Sequence, residues 1–348
     1  MISVSIIIPV YRVEKYIERC IRSVINQTCK DIRIECIVVD DCTPDNSIMI
    51  VKKIIDSYVG GIEFKIIQHE KNEGLSAARN TGMNHAKGDY LMFIDSDDYI
   101  TDDCLEKLLH VIEQYPDVEV IKGNHMGREK INISRIPKAM IDKDTLLELF
   151  YLSYIPCMAW NTLIKRSLIS KWGLAFRPGL LFEDNLWSFH LFHHTDYFVF
   201  VAGQTYFYEE LNDNAITGNK TNVPNVAKII PNYVIILEEQ LNSFDSRHEV
   251  SFTLYIVARL MMLIDMVTSN NQIDVTMREK VFCLRNSLVK ISLSHLRLIL
   301  IVFELLNYWP FHRLTRLSLF RRNYHKMQTA VNCLAHKSDF LHRKNYHI

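Results

Sequence analysis

Several features common in chains of this size are missing. The eight cysteines among 348 residues form no C-x-x-C pair and no regular spacing, which excludes a disulfide framework and the usual zinc-binding patterns. No G-x-x-x-x-G-K-[ST] and no G-x-G-x-x-G occurs, so neither a P-loop nor a dinucleotide fingerprint supplies a phosphate site. Net charge is also lacking, with 40 basic against 40 acidic residues; a surface built throughout to hold nucleic acid is excluded. The opening MISVSIIIPVY has neither the basic leader nor the cleavage site of a secretory signal and reads as a first strand. No segment is a clear membrane span. Residues 292–311 come nearest, but His295, Arg297 and Glu304 suit lipid poorly, so an interfacial or core helix is expected there. These absences point to a reducing, cytoplasmic setting in which Cys20 and Cys36, lying in apolar patterns, are buried thiols.

What the chain does have is alternation. With 48% hydrophobic residues, it is long enough for two domains or for one with a large appendage. VSIIIPVY (4–11) is continuous and β-branched, as a strand covered on both faces should be. EKYIERCIRSVINQ (14–27) then sets Ile17, Cys20, Ile21, Val24 and Ile25 on one helical face. IECIVVDD, FKIIQHE and YLMFIDSDD read as further strands; residues 47–58, LSAARNTGMNHA and DDCLEKLLHVIEQY read as helices. Strand then helix, repeated, predicts a parallel sheet with helices on both faces. The regularity ends after VEVIKG (118–123), aromatic-rich pieces follow, and from about Val223 the pattern is helical. The expected division is a catalytic domain over 1–220 and a helical extension over 221–348.

In such sheets, ligands bind beyond the carboxyl ends of the strands. The second predicted strand ends on Asp40 and Asp41, and the fourth runs into Asp95, Ser96, Asp97 and Asp98. Carboxylates this close repel one another. One explanation is a cap for the helix expected near Asp102. The other is a divalent cation, Mn²⁺ or Mg²⁺, which takes oxygen ligands and prefers phosphate oxygens as its remaining partners. A nucleotide diphosphate is the ligand expected from the second.

Taken together, SIIIPVYRVEKYIERCIRSVINQT, VVDDCTPDNS, NEGLSAARNTGMNHAKGDYLMFIDSDD and the later FED resemble the family 2 glycosyltransferases of the GT-A fold. The likeness is close over residues 3–110 and weaker to about 210. It implies an α/β fold with a mainly parallel, Rossmann-like sheet, a nucleotide-sugar donor and inverting, metal-dependent transfer. Asp95 would face the ribose or the metal, with Ser96 beside it in the donor site, and Asp97 would ligate the metal in the DxD motif. Pro9, Val10, Tyr11 and Glu14 would line the nucleotide pocket, and Asp41 would accept a ring N–H of the base, as for uracil. Arg79 would face the diphosphate. The family usually has Gly-Ser-Thr where this chain has Cys42, Thr43 and Pro44, which puts the fine geometry of that turn in question.

Transfer to a hydroxyl also needs a positioned base. Glu183 and Asp184 in FEDNLW open an expected helix, whose dipole favours an acid there. The pair could merely cap that helix; the resemblance assigns Asp184 as the base. Trp160 and Trp187 are read equally as sugar-stacking or core residues. The acceptor expected is a glycan or lipid-linked saccharide, in surface polysaccharide assembly. Residues 311–348 carry eight lysines and arginines against one aspartate, which suits an anionic partner such as the inner face of the plasma membrane. Nucleic acid is not expected. A receiver-like reading of VVDD lacks an acceptor aspartate closing the third strand, which ends IIQHE. A nucleotidyltransferase would carry a glycine- and basic-rich loop where this chain has PVYRVEKY. A catalytically inactive nucleotide-binding protein is the remaining alternative.

Overall fold

The structure, a computed structural model, describes residues 1–126, 131, 133–210, 226–243, 246–269 and 273–293. Nearly all of 292–311 and the whole basic stretch 311–348 lie outside these. The chain divides into two compact units, one of Met1–Phe150 and Tyr154–Pro224, the other of Tyr151–Ser153 and Asn225–Ile348.

The first unit begins as the alternation predicts. Strand β1 (Ser3–Val10) is followed by α1 (Ile17–Ile25), β2 (Arg33–Asp40), α2 (Ser47–Asp56), β3 (Glu63–Gln68), α3 (Leu75–His85) and β4 (Tyr90–Phe93). These strands pair in parallel, in the order β3-β2-β1-β4. Every residue of β1 from Val4 on is buried, because helices cover both faces and leave no polar side to alternate with. On one face Ile6, Ile8, Cys36, Val38 and Met92 pack with Ile17, Cys20, Ile21 and Val24 of α1. Full burial of each such aliphatic side chain contributes about 1.5–3 kcal/mol. The other face, with Ile37 and Val39, receives Ala78 of α3. Four residues further along the same side of that helix, a Cβ on Gly82 would run into the Ile7 side chain. Small residues at this spacing let α3 lie directly on the sheet.

The second half of the sheet is antiparallel in part, which the strand–helix pattern did not foretell. After β5 (Tyr99–Ile100) and α4 (Cys104–Gln114) come β6 (Val120–Met126), β7 (Ile141–Asp142), α5 (Lys143–Tyr151), β8 (Thr162–Lys165), α6 (Arg166–Trp172), α7 (Glu183–His193) and β9 (Tyr197–Phe207). Strand β8 inserts antiparallel between β4 and β6, and β9 lies parallel to β6. The second unit contains α8 (Val226–Asn242), α9 (Glu249–Ser269) and α10 (Val275–Leu293), packed on one another. In α9 the window Ser251–Thr268 is apolar enough to cross a membrane, with mean hydropathy 1.5, yet 60% of it is buried inside the structure. Phe252, Ile256, Leu260 and Leu263 are among its inward residues.

The capping explanation for the aspartates fails. Helix α4 starts at Cys104 with Asp103 at its N-cap, and β5 separates it from Asp95–Asp98. Left-handed backbone instead marks the turns beyond the strands: Arg12 follows β1, Cys42 follows β2, Asn161 precedes β8 and Phe182 precedes α7, all with φ between 55° and 61°. Cys42 thus occupies a conformation that costs an L-residue about 1–2 kcal/mol and glycine almost nothing. Cys42→Gly is expected to be more stable than Cys42→Ala by about 1 kcal/mol in urea unfolding; equal midpoints would show that the turn relaxes without cost.

Candidate functional site

The carboxyl ends of β1, β2 and β4 share one edge of the sheet, and the expected residues gather there with roles that differ among them. Tyr11 is 38% exposed at the end of β1, with the Arg12 guanidinium 5.2 Å from its ring centre. Glu14 ties this loop to the start of α2, accepting from the Asn46 backbone N–H and side-chain amide at 3.1 and 3.3 Å. Pro9 and Val10 depart from the expectation: both are buried. Val10 belongs to the apolar core, and its carbonyl accepts the Asp41 N–H at 3.1 Å.

Asp41 also differs. Its Oδ1 meets His69 Nδ1 and the Glu73 N–H, and its Oδ2 accepts from the Asn72 amide and the Gly74 N–H, all at 2.8 Å. An ionised carboxylate has about four acceptor sites, and here all four are filled from within the chain. Asp41 is therefore the anchor of the loop between β3 and α3, and it offers no vacant acceptor to a base. His69 continues inward to Thr81 Oγ1 at 2.9 Å. In the next turn, Asp45 accepts from the Ser47 and Thr43 hydroxyls at 2.6 and 2.7 Å. Burial pushes its carboxyl up, but those bonds and backbone N–H groups win and hold it below the usual range.

The aspartates after β4 have separate partners. Asp98 is fully buried and accepts from Tyr206 Oη at 2.6 Å and the Glu209 N–H at 2.7 Å. Burial, then the neighbouring Asp97 and Asp95, raise its carboxyl to about 9. Tyr206 in turn accepts the Asp95 N–H at 3.2 Å and stacks on Trp160, with centroids 4.4 Å apart. Ser96 is buried, and Asp97 is half-buried, its carbonyl held by Arg19 at 3.0 Å. Asp95 keeps 24% of its side chain exposed and accepts Arg79 Nη2 at 2.8 Å.

Arg79 is the hub, and it corrects the expectation most. Its side chain is 1% exposed, and it bonds Asp95, Glu183 and Asp184 at 2.8, 2.8 and 2.7 Å. It therefore lies behind these acids and does not face a ligand. The guanidinium carbon lies 5.1 Å from the Phe176 ring centre. Burial alone would discharge the group, but Asp184, Asp95 and Glu183 outweigh that and push its pKa up. One cation serving three acids leaves carboxylate in excess. Glu183 is accordingly raised to about 7, by burial first and Asp184 second, against the pull of Arg79. Burial likewise raises Asp184, whose side chain remains 20% exposed. Trp187 stacks on Phe176 at 4.1 Å; it and Trp160 are 2% and 5% exposed and belong to the core.

The sequence model described as Glycosyl transferase family 2 matches residues 5–173. This part of the chain is a family 2 glycosyltransferase domain. Among relatives, the uncharacterized glycosyltransferase EpsJ of Bacillus subtilis is 30% identical over 227 residues, 62% of each chain. Poly(ribitol-phosphate) beta-N-acetylglucosaminyltransferase TarS of Staphylococcus aureus is 30% identical over 213 residues, 60% of this chain and 35% of TarS. The match thus spans less than two thirds of either relative. In structure, residues 1–349 of S. aureus TarS in complex with UDP-GlcNAc superpose with a TM-score of 0.64 at 19% identity, over 83% of this chain and 81% of that one. A mannosyltransferase from Pyrobaculum calidifontis, in complex with GDP-Man and Mn²⁺, gives 0.56 at 14% identity over 89% and 88%. At these identities the likeness is one of fold, and the fold is GT-A.

Two residues of the glycosyltransferase domain's site escaped the sequence reading. Asp98 was legible only as a third acid, because its partners Tyr206 and Glu209 lie more than a hundred residues away. Lys122 carried a local signal, a lone lysine inside the apolar VEVIKG; it is 1% exposed. Arg79→Met is expected to destabilise the fold by about 3–5 kcal/mol near pH 7, the usual result of stripping one partner from a buried ion set. The loss should shrink as pH falls, because the abandoned carboxylates escape repulsion by taking up protons. Urea unfolding at two pH values measures both effects.

Proposed function

We propose that the chain transfers a sugar from a nucleotide diphosphate to an acceptor hydroxyl, with inversion at the sugar carbon. The observation that carries this is the placement of Asp184 on the first turn of α7, joined through Arg79 to Asp95 at the end of β4. Donor-side and acceptor-side acids are thereby held at fixed spacing by one buried cation. Asp184 is the group suited to take the acceptor's proton, and the raised basicity that burial gives it favours that role. Glu183, deeper and held by the same guanidinium, serves to position it.

A divalent ion fits this edge. Burial first, and then Asp97 and Asp95 beside it, raise the buried Asp98, so two further carboxylates stand close to it at this edge. Among the described residues no group of three or more His, Cys, Asp and Glu is arranged to hold a metal, which suits an ion kept by one or two carboxylates and completed by donor phosphates. Asp97 and the outer oxygen of Asp95 would hold Mn²⁺ or Mg²⁺, which when bound would neutralise the departing diphosphate. The donor we favour is a uridine nucleotide sugar, supported by TarS, which is described in complex with UDP-GlcNAc. Surface polysaccharide or cell-wall assembly is the setting its relatives' names support. Attachment to an anionic cytoplasmic membrane face rests on the basic stretch 311–348 alone.

Incubation with a panel of nucleotide sugars should give slow, metal-dependent release of nucleoside diphosphate from one of them; no release from any would overturn the reading. Asp97→Ala should abolish Mn²⁺-dependent donor binding in calorimetry, since a lost ligand leaves the diphosphate facing bare carboxylates. Asp184→Asn should leave donor affinity almost unchanged and lower turnover by about 10²–10⁴-fold. A variant that loses donor binding instead would make Asp184 a nucleotide-site or folding residue.

A further inference from the structure

Beyond β4 the chain turns at once over Asp95–Asp98, where the Asp98 N–H donates to the Asp95 carbonyl at 3.0 Å. This is a four-residue β-turn with Ser96 and Asp97 at its two central positions. The hydroxyl of Tyr206, near the end of β9, grips both ends of it. That oxygen accepts the Asp95 N–H at 3.2 Å and donates to Asp98 Oδ2 at 2.6 Å. The other carboxylate oxygen of Asp98 accepts the Glu209 N–H at 2.7 Å. From α1, Arg19 Nη2 donates to the Asp97 carbonyl at 3.0 Å and to Glu209 Oε2 at 2.8 Å. The turn is therefore held at its first, third and fourth residues, and every hold leads to Tyr206 or Glu209.

The holders are fixed by packing that does not involve the hydroxyl. The Tyr206 side chain is fully buried and lies parallel to Trp160, 4.4 Å between ring centres and 9° between planes. Strand β5, just past the turn, pairs antiparallel with β9, setting Ile100 opposite Tyr206 and Tyr99 opposite Phe207. The Tyr99 and Phe207 rings stack at 4.5 Å, and the Arg19 guanidinium carbon lies 4.3 Å from the Tyr99 ring centre. A phenylalanine at position 206 would keep the ring, its stack and the strand pairing, and would lose one oxygen. What that oxygen adds is a restraint on the turn, because it ties the Asp95 amide and the Asp98 carboxylate to a single point. Partners bonded to a ligating residue set where its oxygens lie, and losing them weakens metal binding.

We propose that the end of β9 is a clasp on the aspartate turn: Tyr206 is the positioning residue that holds Asp95 and Asp97 in place for a divalent ion, with Arg19 assisting. The assignment of Asp95 and Asp97 to that ion rests on the function proposed above. Neither Tyr206 nor Arg19 acts on the ion directly. Both work through the backbone of the turn, at the Asp95 N–H and the Asp97 carbonyl. A hydroxyl that merely satisfied buried partners would bear on stability alone.

The test is calorimetric titration of UDP into the full chain, once with Mn²⁺ and once with EDTA. The wild type is expected to bind more tightly with Mn²⁺, and Tyr206→Phe should cut that gain by about tenfold, the low end of what such partners are worth. Affinity in EDTA should match the wild type. An unchanged Mn²⁺ gain in the folded variant overturns the proposal, and so does an equal loss with Mn²⁺ and with EDTA. Arg19→Met, at a side chain 42% exposed, should lower the gain in the same direction and carries the comparison if Tyr206→Phe does not fold. A second readout needs neither metal nor nucleotide. In amide hydrogen exchange, Tyr206→Phe should speed exchange in peptides covering residues 95–98 and leave those of β1 and β2 unchanged. Unaltered exchange at the turn overturns the clasp. A wild type that binds UDP no better with Mn²⁺ would overturn the metal reading instead, and exchange at the turn would then decide the clasp by itself.

Discussion

The buried guanidinium of Arg79 is the constraint on which the rest of the site depends. It joins three acids carried by different parts of the chain: Asp95 after β4, and Glu183 and Asp184 on α7, about ninety residues further on. Beside it, Phe93 at the end of β4 meets Trp187 of α7 edge-on, with ring centres 6.1 Å apart. Buried ion sets are weak sources of net stability, since desolvation offsets much of the attraction. What such a set confers is geometry: a planar fork bonds carboxylates in few orientations. The spacing between Asp95 and the acids of α7 is thus set by one side chain that α3 delivers while Ala78 and Gly82 let the helix lie on the sheet.

Around that hub, each remaining acid is dealt with separately. Asp98 is turned inward to Tyr206 and the Glu209 N–H, and Asp41 is consumed by the β3–α3 loop. Asp97 and the outer part of Asp95 are left nearest solvent. The row after β4 that looks uniform in the sequence is therefore one buried anchor, Asp98, and an edge of Asp97 and Asp95. This division explains how a parallel strand can end on such a cluster: burial first, then Asp97 and Asp95, raise Asp98 to about 9, and Asp95 is paired with Arg79.

The antiparallel insertion of β8 between β4 and β6 supplies the other wall. It brings Cys157–Asn161 alongside the end of β4 on one side and against Lys122 on the other. An open parallel sheet built only of strand–helix units would have no such layer. The departure from simple alternation is what lets Lys122 of β6 donate to the Met158 carbonyl of the segment before β8.

The sequence by itself determined the class of fold, the edge of the sheet that matters and the identity of the acids. Those features have local causes: continuous β-branched runs for buried strands, 3.6-residue spacing for helices, and carboxylates at strand ends. It also carried the turn anomaly at Cys42, legible as a non-glycine where the family usually has glycine. Only the tertiary structure decided what each polar group does. That Arg79 faces inward, that Asp41 has no acceptor to spare, that Val10 is core and that Asp98 is a buried anchor all depend on partners distant in the chain, and a hydrogen bond leaves no periodic trace in the sequence. Lys122 shows the boundary: its oddity in an apolar strand was visible, but its meaning waited on which carbonyls the fold would bring to its ammonium.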